Sequence, residues 1–465
     1  MPTVIEAALI EQAWASLVSG STTPATPPDL HGASGDLVSR FAVSETATAC
    51  VATALMAASA LQQQRGGGRA VARLARGHVA AAVRSERHFR RDAQSVGASF
   101  APLSRFWRAN DGWVRTHANY PWHRAALLAA LGASDSADSL GAAIAERTAA
   151  DVEEQVFAGG GVAAAVRSTE RWHDQPQGRA LMGEPLIGHR LAGPAPARGR
   201  PASGLPAAGV RVLDLTRVIA GPVCTRYLAA LGADVLRIDP PDLPDVPLGA
   251  AADSLLGKRS AIVDARGDAG STTLSALLRQ ADVVVCGYRP GALERFGLGE
   301  NDLAERTPGV VVAYLDAWGH TGPWAERRGF DSVVQAASGI AMGESEDGAT
   351  PGVLPCQLLD HGTGYLAAAA VLDGLRRQTG EGGTHVRRLS LARTAAWLTS
   401  TAIDAPHPSG GTAEDARWLG EAQHPDARLT FVQPPGELGG RPLQWPLTSS
   451  RYGTDPPQWA TSLGE

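Results

Sequence analysis

Cysteine is scarce in this chain: four in 465 residues, Cys50, Cys224, Cys286 and Cys356. No two form a CxxC pair, and none joins a His/Cys cluster at metal-ligand spacing. The pattern argues against a disulfide framework and against a metal site, and it points to a reducing, cytoplasmic setting. A broad basic field is also missing. With a formal net charge of −5, nucleic acid is a poor partner, and anionic small molecules would have to be met by local arginines and lysines. The opening MPTVIEAALIEQAW carries Glu6 and Glu11 but no basic n-region, which argues against a signal peptide. No apolar run reaches the roughly 18 residues that would suggest a membrane span, so no membrane partner is expected. What is present, 44% hydrophobic and 19% charged residues, suits a globular protein with a real core, and the length suggests two or three domains.

Proline and glycine divide the chain. Residues 20–34 (GSTTPATPPDLHGAS) read as a loop, and residues 192–209 (AGPAPARGRPASGLPAAG) as the clearest linker, since neither helix nor sheet survives that density. A third weak segment runs over about 405–426, and residues 401–465 as a whole read as an extended tail. After 209 the rhythm changes. VRVLDL (210–215), a turn at AGP (220–222), a helix-spaced CTRYLAALGA and VLRID (235–239) make a βαβ unit. SAIVDA (260–265), DVVVCGY (282–288) and VVVAYLDA (310–317) continue it. Strands alternating with helices predict an α/β fold: a doubly wound, Rossmann-like parallel sheet over 205–400. Before it, residues 1–99 read as a helical segment. Residues 100–190 read as a smaller α/β domain, where an Asn-Asp-Gly turn in WRANDGWVRTH joins two aromatic strands. One echo crosses these blocks. Residues 48–83 and 364–398 both run from an alanine-rich helix through a glycine cluster and a Val-Arg-Leu strand into another alanine-rich helix.

From 209 onward the chain resembles the family III CoA-transferases of the CaiB/BaiF superfamily. The likeness begins in GVRVLDLTRVIAGPVCTRYLAALGADVLRIDPP (209–241) and continues through GKRS (257–260) and ADVVVCGYRPGALERFGLG (281–299). GHTGPWAERRGFD (319–331), VVQAASGI (333–340) and LPCQLLDHGTG (354–364) follow in the family's own order. Residues 100–132 and 158–181 are similar to the family's small domain, which in the family follows the catalytic segment. Here it comes first, as in a circular permutant or a truncated tandem fusion.

The resemblance places a catalytic aspartate at Asp360. A helix N-cap is the other reading of an aspartate at this point, and the two are compatible, because a helix N-terminus holds a carboxylate ionised. The implied chemistry is transfer of CoA between an acyl-CoA thioester and a carboxylic acid through an aspartyl anhydride and an aspartyl-CoA thioester. Gly362 and Gly364 would let amides approach an oxyanion. CoA is substrate here, and no cofactor or metal is expected. Arg217, Lys258, Arg259, Arg289 and Arg295 lie at βα junctions, where anionic ligands meet a parallel sheet. The resemblance assigns CoA contacts to Val218, Ala220, Lys258, Tyr288 and Arg289, with Arg295 beside them, and implies a homodimer. Arg237 is expected to face solvent.

Two rival readings stand beside this one. An α-methylacyl-CoA racemase or isomerase would need a His/Asp acid–base pair, but the matching stretch is Gly329-Phe330-Asp331, leaving only His320 and His361 as substitutes. A catalytically silent CoA-binding homologue would fit the rearranged order of blocks.

Overall fold

The computed structural model describes all residues except 1, 22, 25, 34–36, 97–99, 202–203, 246–252, 402–414, 447–449 and 461–465. Part of the 20–34 loop and the start of the 405–426 segment therefore lie outside the described residues.

The N-terminal segment holds α1 (Val4–Leu17), β1 (Asp29–His31), α2 (Val43–Gln64), β2 (Ala72–Ala75) and α3 (Arg76–Ala82). A Thr3/Glu6 capping box starts α1. The segment read as helical thus contains strands as well: β1 and β2 pair in parallel, and Arg90–Arg91 and Gln94–Ser95 form a short antiparallel pair. α2 is apolar on nearly every face and buried along most of its length, as suits a helix inside the core. By length and composition α2 could also cross a membrane, yet 83% of its most apolar stretch is buried within this fold.

Next comes a small α/β unit. The hairpin β3 (Phe106–Arg108) and β4 (Trp113–Thr116) turns at Asn110-Asp111-Gly112, and β5 (Ala163–Ala165) pairs antiparallel with β4. Helices α4 (Pro121–Leu131), α5 (Ala137–Ala145) and α6 (Ala149–Ala158) cover it. Trp107, Val114, Leu127, Leu140, Ile144 and Val152 form its own core.

The large sheet runs β6 (Gly188–Gly193), β7 (Arg211–Leu215), β8 (Asp234–Asp239), β9 (Arg259–Ile262), β10 (Val283–Cys286), β11 (Val311–Asp316) and β12 (Thr384–Ser390) in sequence. In space the order is β9-β8-β7-β10-β11-β12-β6, all parallel except β6. This is the expected doubly wound sheet. Its strands are buried on both faces: Val212, Val283, Val285 and Ala313 pack on one side, Leu213, Val284 and Val312 on the other. Helices α7 (Ala220–Ala230), α8 (Asp268–Gln280), α9 (Leu358–Glu381) and α10 (Leu391–Thr399) flank it. The order reverses at β7 and β10, and crevices at the carboxyl ends of such a switch point are where α/β sheets bind ligands.

The C-terminal stretch is more than an extended tail. β13 (Leu419–His424) and β14 (Ala427–Val432) form an antiparallel hairpin. Beyond them Asp455 exchanges two hydrogen bonds with Ser260 (2.7 and 2.8 Å), covering the edge of β9.

Candidate active site

A cavity of about 730 Å³ opens at that switch point. It takes walls from the ends of β7, β8, β10 and β11, from the first turn of α9, and from the small unit, which contributes Tyr120, Trp122 and His123. Asp360, Val218, Ala220, Tyr288, Arg289 and Arg295 all line it. Of the residues expected from the sequence, some as far apart as 218 and 360 are thus brought to one place.

Asp360 is the third residue of α9, not its N-cap; Gln357 is the cap and makes no side-chain capping bond. The carboxylate that does cap this helix belongs to Asp331. Its Oδ2 accepts the Asp360 N–H at 3.0 Å, and its Oδ1 accepts from the Gln335 amide. Burial pushes the Asp331 carboxyl up to about 6, with the Asp360 amide and Gln335 pulling the other way. Burial pushes Asp360 well above the ordinary carboxylate range, and the neighbouring charges of Asp331 and Glu86 add to it. The expectation of a carboxylate held ionised by its helix is therefore corrected. Desolvation and two like charges outweigh the helix dipole.

Behind Asp360, His361 Nε2 meets Glu86 Oε2 at 3.0 Å in a buried pair. Burial alone would raise Glu86, but the hydrogen bond and charge of His361 hold it below its usual value. His361 is not a cavity residue, and His320 is tied to Asp316 at 2.6 Å. Phe330 lines the cavity and stacks on the buried His117 at 3.7 Å. Among the described residues the histidine in the cavity wall is His123, pushed down to about 4 by burial and then by Arg328 and Arg217.

The turn after β7 is strained. Val218 has φ +69, unusual for a β-branched residue. Its N–H donates to Asp245 Oδ2 at 3.2 Å, and Asp245 also accepts from the Tyr120 hydroxyl (2.7 Å) and Arg237 (3.0 Å). Arg237 is fully buried and bonds Asp239 through Nε at 2.7 Å. The solvent-facing expectation for Arg237 is thus overturned, because two buried aspartates hold it inside.

Lys258 is likewise no cavity residue. It is fully buried, with Nζ donating to Asp214 Oδ2 (2.9 Å) and the Pro222 carbonyl (3.1 Å), so its charge is already satisfied. Arg259 pairs with Asp234 at 2.7 Å. Gly362 and Gly364 serve packing. A Cβ at Gly364 would fall 2.5 Å from the Ala220 carbonyl oxygen, and one at Gly362 would lie 3.3 Å from Cys50 Sγ. They let α9 approach α7 and α2 inside a continuous helix.

Arg289 and Arg295 make no ion pair among the described residues; Arg295 lies 4.7 Å over Phe296, and Arg289 Nη1 reaches the Glu326 carbonyl at 3.3 Å. Arg217 sits over the rings of Tyr120 (5.3 Å) and Trp122 (5.7 Å). The cavity thus offers the exposed cations Arg289 and Arg295, apolar side chains such as Ile238, Val263 and Leu274, and the buried carboxyls of Asp360 and of Asp316, the latter tied to His320. Sequence reasoning missed Tyr120, Trp122, His123, Asp245 and the role of Asp331. Only Asp331 had a local signal, as the acidic residue of Gly-Phe-Asp.

Residues 207–427 match the family model for CoA-transferase family III. Over that span the chain is similar to the family III CoA-transferases. A probable fatty acyl-CoA transferase of Mycobacterium tuberculosis is 33% identical over 205 residues, covering 42% of this chain and 52% of that protein. A formyl-CoA:oxalate CoA-transferase of Afipia carboxidovorans is 34% identical over 184 residues, covering 37% and 43%. A crystal structure of the mycobacterial protein aligns with 43% of this chain and 57% of that one, at a TM-score of 0.40 and 33% identity. This chain spans about half the length of the curated relatives it matches. The matched span contains both Asp331 and Asp360, whereas Glu86 and the Tyr120–His123 wall lie outside it.

Proposed function

We propose that the chain transfers CoA between an acyl-CoA thioester and a carboxylic acid, with Asp360 as the nucleophile. The observation that carries this reading is a buried carboxyl at the inner end of a cavity whose mouth bears Arg289 and Arg295. Phosphates of CoA would meet the arginines, and the thioester would reach the carboxylate. Val218, Ala220 and Tyr288 would line the path of the pantetheine arm.

The ionised Asp360 adds to the thioester carbonyl carbon, and the tetrahedral adduct collapses by expelling CoA thiolate, leaving a mixed anhydride. The thiolate then attacks the aspartyl carbonyl, releasing the donor acid as carboxylate and forming an aspartyl-CoA thioester. The acceptor carboxylate attacks that thioester, CoA thiolate leaves again, and its attack on the new acyl carbonyl regenerates Asp360. Each step exchanges one acyl bond for another, so the thioester's energy is conserved. A carboxylate of raised basicity is the better nucleophile once ionised, and Asp331 is the adjacent group through which the pair sheds its proton.

The racemase reading keeps one support, His123 in the cavity wall, and α-proton exchange in D2O without transfer would favour it. The test is exchange of labelled acetate, succinate or oxalate into acetyl-, succinyl- and palmitoyl-CoA by wild type and Asp360→Ala, with hydroxylamine trapping of the acyl-enzyme. Transfer and an adduct in wild type only are expected. Transfer retained by Asp360→Ala would sink the mechanism.

A further inference from the structure

α2 and α9 do more than pack together. α2 begins at Val43 and α9 at Leu358, α3 at Arg76 and α10 at Leu391, and β2 and β12 end at Ala75 and Ser390. Each pair is separated by the same 315 residues (358 against 43). At that offset Gly67 and Gly68 match Gly382 and Gly383, and Val71, Arg73 and Leu74 match Val386, Arg388 and Leu389. The strand pairing repeats as well. β1 lies parallel to β2 with His31 opposite Ala75, and β11 lies parallel to β12 with Asp316 opposite Ser390. Alanine-rich helices alone would share neither a fixed offset at three element boundaries nor a strand register.

The two copies differ where chemistry is concerned. Asp360's counterpart is Glu45, buried at the third position of α2. The counterpart of the cavity residue Leu391 is Arg76, which is ion-paired to both oxygens of Glu6 at 2.7 Å and feels the charge of Glu45. Where the second copy places Leu391 on the cavity wall, the first places the buried Arg76–Glu6 ion pair. Among the described residues the sheet of the first copy holds β1 and β2 with two short antiparallel strands (Glu437–Leu438, Arg441–Pro442) and has no switch point. Directly after α3 it places Glu86 against His361, the residue following Asp360. The reciprocal positions are Thr401 and Thr46, so that contact exists in one direction only.

We propose that residues 29–86 are a reduced internal copy of the unit that bears Asp360, that this copy holds no reaction centre, and that it supplies Glu86 as a positioning residue behind the other. Glu86 acts through His361 and through its charge near Asp360. The ionisable groups around that carboxyl are Asp331, Glu86 and His361, with Arg115 acting on Asp331.

The inference rests on Asp360 as nucleophile, and its test separates the two. Infrared titration of the Asp360 carboxyl band, assigned by its loss in Asp360→Asn, needs no substrate. Glu86→Gln, isosteric and still able to accept from His361, should lower the pH of that titration by about one unit. Glu86→Asp, which keeps the charge, should leave it near wild type, and Glu45→Gln should leave it unmoved. Hydroxylamine trapping with acetyl-CoA should give one adduct per chain in Glu45→Gln as in wild type. A band unmoved by Glu86→Gln, a band shifted by Glu45→Gln, or an adduct on Glu45 would overturn the proposal. Failure of the nucleophile itself would show differently, as transfer surviving in Asp360→Ala.

Discussion

Asp331 Oδ2 accepts the backbone N–H of Asp360 at 3.0 Å, so one buried carboxylate caps the helix that carries the other. The bond fixes where Asp360 stands, and it also brings a like charge beside a desolvated group. Water would screen such a pair at the surface; at 7% exposure Asp360 has little of it. The two groups therefore titrate as a pair, with Asp360 the later to ionise.

Asp331→Asn keeps an oxygen to accept the amide but removes the charge. Asp360 should then ionise at lower pH, and the acid limb of the transfer rate should move down by about one pH unit. Turnover on the plateau should fall, since a less basic carboxylate is a weaker nucleophile. A pH–rate profile of kcat/KM measures both. A limb that stays in place would mean that Asp331 does not set the ionisation of Asp360, leaving burial and Glu86 to do so.

Stability should carry the same signature. An aspartate ionises near 3.9 in the unfolded chain, whereas Asp360 keeps its proton to higher pH when folded. The folded state then binds more protons than the unfolded one, so this residue's contribution is present at low pH and is lost as pH rises through its folded value. Asp360→Asn should melt close to wild type near pH 4 and progressively higher than wild type toward pH 8. Thermal melts at intervals across that range test it, and a difference independent of pH would contradict the assignment.

The doubly wound sheet was legible because each strand is a short β-branched run set between a turn and a helical stretch, as in DVVVCGY. The cavity residues on the turns after β7 and β10 were legible for a related reason: they sit where a parallel sheet presents its carboxyl ends. Lys258 and Arg237 misled because a charged residue beside a strand reads as solvated. Their partners, Asp214 for one and Asp239 with Asp245 for the other, become visible only when strands are laid side by side. The aromatic wall of Tyr120, Trp122 and His123 was hidden for the same reason, since nothing in a linear pattern says which face of a second unit closes over a sheet. The repeat was legible as a motif, but the loss of a centre in its first copy depends on Arg76 filling the space that Leu391 leaves open.

Lys258→Met should act on stability before substrate. Removing the ammonium leaves Asp214 buried with only its hydroxyl and amide donors, Thr216 and Thr225, and breaking such a pair typically costs about 3–5 kcal/mol. Urea denaturation should show that loss in its midpoint. The KM for acyl-CoA should change less than it does on removing a cavity arginine. A folded, fully stable variant with a large rise in KM would return Lys258 to the ligand.

Arg289→Ala and Arg295→Ala should do the reverse. Both side chains line the cavity and neither is ion-paired among the described residues, so truncation leaves no buried charge orphaned and should shift stability by less than about 0.5 kcal/mol. Each lost charge-assisted contact to phosphate should weaken acyl-CoA binding by about tenfold, or ~1.4 kcal/mol. The loss should appear in KM with kcat nearly unchanged, because the phosphates stay bound alike in ground and transition states. Raising ionic strength should raise the wild-type KM and narrow its gap to the variants. A KM insensitive to both substitutions and to salt would place the phosphates of CoA elsewhere, and the orientation of thioester toward Asp360 would fall with it.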